Sequence, residues 1–485
     1  MTPVLVVSII AVYFSVLILI SYFTSRGASS DTFFTANRQS PWYLVAYGMI
    51  GASLSGVTFV SVPGNVTKIG YGYMQVVMGY MAGYWIIIFL LLPLYYRLNV
   101  ISIYTYLEQR FGRFSYKTGA AFFLLSRTLG SSLRLYLAAA VLQLFLFDAW
   151  HVPFIVTVAV TIVLIWIYTY RGGIKTIVWT DTFQTTFLVS AVVICVYIIA
   201  SRLGLSFSST IDLIAQSRYS RWFYWEDVNS TLYFPKQFIG GLFITVAMTG
   251  LDQDMMQKNL TCRSLGDAQK NMFWFSIILF VVNLLFVTLG ALLYLYCEIR
   301  QIPVTGPGDE LFPMMAQNEF GLVAGIFFLL GIIASSYASA DSALAALTTS
   351  FCIDFLNFRD KQEAVKVKQK NWTHVGFSLL FLLIIVVFRE INQRSLIDAV
   401  LNVAGYTCGP LLGLFSFGIF TRRQVRDRWV PLICIVSPAI SYGISYAAPL
   451  LLDGYQIGLE ILLINGLVTY AGLLFISIRE VARPQ

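Results

Sequence analysis

The sequence predicts an all-α polytopic membrane protein, and three observations predict it. Of 485 residues, 58% are hydrophobic and only 12% charged, where a soluble domain carries about a quarter charged residues. Mean hydropathy is +0.75. About thirteen apolar runs follow one another, starting near residues 4, 42, 71, 118, 152, 176, 236, 268, 318, 373, 396, 429 and 456, and each approaches the ~20 residues that a helix needs to cross the hydrocarbon. Lipid offers no partner to a backbone N–H or C=O, so each run must be helical or closed on itself.

Taken in order, the first run, VLVVSIIAVYFSVLILISYF from Val4, follows an uncharged MTPV. A secretory signal has a basic start and a shorter apolar core, so this run is a span. The second contains MIGASLSGVTFVSVPG, residues 49–64, with Gly, Ser, Thr and Pro gathered in mid-span. GYMAG at 79–83 suits close helix packing. The fourth run carries Arg127 and Arg134, seven apart and therefore on one helix face. Asp181 lies near the start of the sixth, in YRGGIKTIVWTDTFQ. The connection 202–234 is polar and aromatic and predicts an external cap or short surface helices. The seventh run contains FIGGLFITVAMTGLDQDMMQ, residues 238–257, a second interruption, with Asp252 and Asp254 at its cytoplasmic end to anchor a gate or face water. The ninth carries SSYASADSAL, residues 335–344.

Charge sets an orientation. With the N-terminus outside, the cytoplasmic regions hold twenty-two Lys and Arg and the outer loops seven, which is the positive-inside bias. The net charge of +8 follows from the same bias and gives no reason to expect nucleic acid. Six scattered cysteines lack zinc-finger or redox spacing and read as buried free thiols. His151 and His374 form no metal-protease pattern, and no Ser/His/Asp set is readable. Nothing here points to an enzyme.

Broken helices free backbone carbonyls, and such backbone survives at membrane depth only where it lines a cavity or is buried in protein. Two interrupted runs five spans apart are the sequence sign of an inverted-repeat transporter; the alternative for either alone is a close-packing surface. In the ninth run Ser335, Ala338, Ser339 and Ser342 share one face with Asp341 at its edge. Hydroxyls beside freed carbonyls make a surface for a hard cation; serines bonded to their own helix would instead serve packing. Asp181 either favours its helix N-terminus or points into the bundle toward a cation. Arg127 and Arg134 require acids, carbonyls or an anionic substrate.

From DTFFTANRQSPWYLVAYGMIGASLSGVTFVSVPG through LPLYYRLNVISIYTYLEQRFG, GGIKTIVWTDTFQ, TGLDQDMMQKNL and SSYASADSALAALTTSFCIDFL, the chain resembles the sodium/solute symporter family, whose members carry sugars, proline, monocarboxylates, iodide or sialic acid. The resemblance implies thirteen helices around a leucine-transporter-type core: an extra helix at 4–23, inverted five-helix repeats at 42–201 and 236–421, and two further helices at 429–479. It places the principal sodium on the carbonyls of Gly51 and Leu54, the Ser335 carbonyl and the Ser339 hydroxyl, with Asp181, Asp341 and Ser342 as a possible second sodium set. The family reads two consecutive hydroxyls where this chain has Ala338-Ser339, so one sodium ligand is missing. Ser53, Ser55 and Thr58 at the first break, Tyr73 and Gln75 on the next span, and Arg127 or Arg134 for a carboxylate are the expected substrate contacts.

The function so implied is secondary active symport. Sodium, as coupling ion, drives uptake of a small sugar, sugar acid or carboxylate across a plasma or inner membrane, with the N-terminus outside and the C-terminus cytoplasmic. No organic cofactor, nucleic acid or obligate protein partner is implied. The alternatives are a proton-coupled transporter or a solute sensor of the same fold.

Overall fold

The computed structural model describes residues 3–26, 30–169, 173–304, 306–356, 358, 361–391 and 396–478. Of the residues used for orientation, Arg171, Arg359, Arg394, Arg479 and Arg483 lie outside the described residues, as does the last residue of the expected segment 429–479.

The apolar runs fold as helices in the expected order. Helix α1 spans Pro3–Thr24. The second run is divided into α2, Trp42–Ser53, and α3, Gly56–Ile69. Between them Leu54 (φ −88°, ψ 86°) and Ser55 (φ −69°, ψ 168°) leave the helical region. Next come α4, Tyr73–Ile86, prolonged by a π turn at Ile87–Leu91, then α5, Arg113–Leu142, α6, Phe154–Thr169, and α7, Gly173–Arg202. The polar connection forms a short helix, α8, Phe207–Ala215, capped by the Ser206 hydroxyl, which accepts from Ser209 N. Beyond it runs the second divided segment: α9, Phe234–Thr245, a π turn at Val246–Gly250, and α10, Gln253–Asn259. Leu251 and Asp252 are the non-helical joint, and the Asp252 carboxylate caps α10 by accepting from Asp254 N and Met255 N at 2.9 and 3.2 Å. The rest are α11, Leu265–Arg300, α12, Gly308–Asn318, α13, Gly321–Ser350, α14, Glu363–Ile391, α15, Leu396–Phe420, α16, Val430–Leu451, and α17, Ile461–Phe475. Among the described residues, eight helical stretches are at least 18 residues long and apolar enough to cross a membrane, the run Gly56–Arg97 through α3 and α4 counting as one. All six cysteines are free and buried.

Packing places the first joint at the centre. Helix α2 lies against α7 and α13, and α7 against α13 along much of its length. Small residues allow this. A Cβ on Gly48 would stand 3.1 Å from Asp181 Cβ, one on Gly51 2.6 Å from Thr185 Oγ1, and one on Gly56 2.2 Å from Ser336 Oγ. Helices α4 and α9 meet backbone to backbone. A Cβ on Gly79 would fall 2.1 Å from the Phe238 carbonyl oxygen, and one on Gly241 2.3 Å from that of Val76. Helix α12 docks on the end of α3 remote from the joint, where a Cβ on Gly308 would fall 2.3 Å from Gly64 O.

Candidate functional site

The site begins with a helix that stops early. The last backbone bond of α2 runs from Leu54 N to Ile50 O at 2.7 Å, which frees the carbonyls beyond Ile50. Gly51 N also donates to Thr185 Oγ1 at 3.0 Å, and a Cβ on Gly51 would stand 3.6 Å from Ala338 Cβ. Gly51 is thus packed against the expected face of α13, where Ser335, Ala338, Ser339, Asp341 and Ser342 are all fully buried. Their hydroxyls differ in use. Ser335 Oγ donates to its own helix, to Ile332 O at 3.1 Å. Among the described residues, the buried hydroxyls of Ser336 and Ser342 have no partner. Ser339 Oγ accepts from Arg134 at 3.3 Å.

Beside the joint lies a cavity of about 110 Å³, and Ser53, Ser55, Thr58, Tyr73, Arg127 and Arg134 all line it. Tyr80, Tyr84 and Met248 complete much of the wall. Gln75 is not part of it. Its amide donates to Leu232 O at 3.2 Å and accepts from Tyr224 N at 3.0 Å, tying α4 to the loop before α9. Tyr71 stacks on Trp222 in the same loop, centroids 5.2 Å apart.

The two arginines share a helix face yet have different company. Arg127 hydrogen-bonds Asp254 and stands 3.7 Å from Asp252 Oδ2. Both acids are buried, so this pair ties α5 to α10 rather than facing water. Arg134 has no ion pair among the described residues, and its buried Nε has no partner.

A second polar cluster lies deeper. Asp181 is the ninth residue of a helix that starts at Gly173, too far inside for the terminal dipole to account for it. Its Oδ2 accepts from Lys258 Nζ at 2.6 Å, while its Oδ1 is buried with no partner among the described residues. Asp341 accepts from the Tyr168 hydroxyl at 2.7 Å. Sequence reasoning did not single out Lys258, Thr185 or Tyr168. Asp181, Gln184 and Thr185 do form a polar i, i+3, i+4 stripe, which would have signalled Thr185. Nothing in the order of residues brings Lys258 to Asp181.

Residues 33–427 match the family described as SSF, Sodium:solute symporter family. The chain belongs to the sodium:solute symporter family. It is therefore a sodium-coupled symporter that moves a small solute across a membrane, and not an enzyme. Among the relatives of this symporter, the sodium/sialic acid symporter NanT of Aliivibrio fischeri is 25% identical over 411 residues, 83% of this chain and 80% of its own. Sodium-coupled monocarboxylate transporter 1 of Xenopus laevis is 27% identical over 428 residues, 84% of this chain and 67% of its own. The sodium/sialic acid symporter SiaT of Proteus mirabilis is 23% identical over 425 residues, 85% of this chain and 84% of its own. In fold the symporter is similar to a sodium-coupled sialic acid symporter solved in a substrate-bound outward-open state, with a TM-score of 0.81 at 19% identity over 98% of this chain and 99% of that one. A closed form of Mhp1, a nucleobase-cation-symport-1 transporter, gives 0.53 at 15% identity over 92% of this chain and 93% of that one.

Proposed function

We propose that this symporter takes up a small carboxylate, a sugar acid or a monocarboxylate, together with sodium by alternating access. The observation that carries this reading is Arg134. Its guanidinium, half-buried and ion-paired to no acid among the described residues, stands on the wall of a cavity that mixes hydroxyls and tyrosines with Leu54, Val57, Ile244 and Met255; it needs an anion to offset its desolvation, and a carboxylate matches its planar fork. The relatives named for sialic acid and for monocarboxylates both carry carboxylates. Ser53, Ser55, Thr58 and Tyr73 supply hydrogen bonds around it, and Arg127 serves the wall while held by its acids.

Sodium sits at the junction of α2 and α13, on the carbonyls of Gly51, Leu54 and Ser335 and the hydroxyl of Ser339, with Ala338 contributing no oxygen. The freed carbonyls and the close approach of Gly51 to Ala338 support this placement. Asp181, with Asp341 and Ser342, forms a second cation position, supported by unpartnered buried oxygens on Asp181 and Ser342. Residues 42–201 and 236–421 act as two inverted repeats, flanked by 4–23 and 429–479, in a plasma or inner membrane with the N-terminus outside. Each charge carried inward gains about 2.3 kcal/mol per 100 mV. Sodium favours the outward-open state only to the extent that it binds that state better. Substrate then closes the site before it opens inward.

The test begins without substrate. Melting of the purified protein is compared in sodium, potassium and choline chloride at equal ionic strength, for the wild type, Ser339→Ala and Asp181→Asn. A site filled a hundredfold above Kd raises stability by about 2.7 kcal/mol. A sodium-specific rise lost in Ser339→Ala is expected; equal melting in all three salts would reject the placement. Counterflow of labelled lactate and N-acetylneuraminate then tests the solute class, and exchange of neither would reject it.

A further inference from the structure

The geometry points to Arg134 as the link between the two cargoes: without sodium its guanidinium holds the Ser339 hydroxyl that sodium needs, and with sodium bound it turns into the cavity to receive the substrate's carboxylate. This rests on the reading above, which puts sodium on Ser339 and a carboxylate in the cavity. It adds a competition that neither placement contains. One side chain reaches both places. Arg134 is on the cavity wall with Ser53, Ser55 and Thr58, and its Nη1 donates to Ser339 Oγ at 3.3 Å.

A hydroxyl oxygen has two lone pairs, so holding a guanidinium N–H and a sodium ion at once would bring two positive charges onto one small oxygen, and the two compete through their repulsion. Two unit charges so placed stand roughly 5 Å apart, and at an effective dielectric constant of about 20 their repulsion weakens sodium binding on the order of a hundredfold. Ala338 makes the competition strict. With two adjacent hydroxyls, one could hold the guanidinium and the other the ion, whereas here the residue before Ser339 is Ala338, whose Cβ a Cβ on Gly51 would approach to 3.6 Å. Among the described residues no acid is ion-paired to Arg134, although Asp252 lines one small pocket with it, whereas Arg127, two turns away, is held by Asp252 and Asp254 and has no such freedom. A carboxylate in the cavity draws Arg134 off Ser339 and neutralises it, so substrate tightens sodium binding. By linkage sodium tightens substrate binding by the same factor. Either cargo alone meets a poor site, which suppresses uncoupled leak.

The experiment measures the sodium Kd from melting curves of the full-length detergent-purified protein, with choline replacing sodium, first without substrate. The proteins are the wild type, Arg134→Gln, Arg134→Met, Ser339→Ala and Arg134→Gln/Ser339→Ala. Melting in choline chloride alone identifies a variant that has failed to fold, and the second Arg134 variant then stands in for it. Sodium is expected to bind tenfold or more tightly in the Arg134 variants, with no tightening where Ser339 is Ala. Lactate or N-acetylneuraminate should lower the sodium Kd of the wild type but not of the Arg134 variants. An unchanged or weaker sodium Kd in a folded Arg134 variant overturns the proposal. If Ser339→Ala abolishes sodium binding while Arg134→Gln keeps the wild-type Kd, the coupling role alone falls. If Ser339→Ala leaves sodium binding intact in every background, the sodium placement itself falls, and the competition with it.

Discussion

Lys258 Nζ lies 2.6 Å from Asp181 Oδ2, and each side chain is only 1% exposed. The pair joins α10, the short half of a divided segment, to the first third of α7. An ion pair so deep gives modest net stability because both charges were taken out of water, but removing one partner strands the other and costs about 3–5 kcal/mol. Lys258→Met and Asp181→Asn should each lower the melting temperature markedly in choline chloride. The double variant should recover most of the loss. A double variant as unstable as the worse single one would show that the two do not act as a pair.

The single hydroxyl at the proposed sodium position can be doubled. Ala338→Ser adds an oxygen where a Cβ on Gly51 would be 3.6 Å from Ala338 Cβ. An additional oxygen bonded to a charged ligand is worth about 1.5 kcal/mol or more, so the sodium dependence of uptake should move roughly tenfold to lower concentration. An unmoved sodium curve would place the ion elsewhere.

The arginines should separate stability from transport. Arg127→Gln leaves Asp252 and Asp254 buried without their cation, a loss of about 3–5 kcal/mol expected in thermal melting. Arg134→Gln strands no acid; it should melt close to the wild type yet abolish uptake of labelled carboxylate in proteoliposomes. Normal carboxylate uptake by Arg134→Gln would remove this residue from the substrate site.

Gly308→Ala tests the docking of α12 on α3. Its new methyl would fall 2.3 Å from Gly64 O, a backbone atom that cannot turn aside, so α12 must shift. Overpacking of this kind costs about 1–3 kcal/mol. The variant should melt earlier, and trypsin should cut at the Arg300–Gln301 bond, just before the loop into α12, faster than in the wild type. Equal cleavage rates would show that the contact is not closed in solution.

Both helix breaks were legible because their causes are local. Glycine, serine and proline cluster at 49–64, and the break falls at Leu54–Ser55 inside that cluster; the second falls at Leu251–Asp252, inside 238–257. The serine face of α13 was legible because helical spacing alone puts Ser335, Ser339 and Ser342 together. The partners were not. Lys258 and Asp181 are 77 residues apart, and Arg134 and Ser339 are 205 apart; only the packing of α5, α7, α10 and α13 joins them. Periodicity put Arg127 and Arg134 on one face and could not say that acids from α10 claim one of them. Gln75 looked like a cavity residue from its place at the start of a span, but Leu232 O and Tyr224 N, in the loop before α9, fix its direction instead.

The glycine contacts between α4 and α9 bear on how this symporter can diversify. Gly79, Gly83 and Gly241 leave no side chain at the seam, only main chain against main chain or, at Gly83, against Thr245 as well. Almost any replacement there inserts bulk where there is none to trade. The neighbouring stripe of α4 carries Tyr73, Tyr80 and Tyr84 into the cavity, and those rings can be exchanged for smaller or more polar groups without touching the seam. Descendants that acquire a taste for a different solute should therefore differ along the tyrosine stripe and retain the glycines.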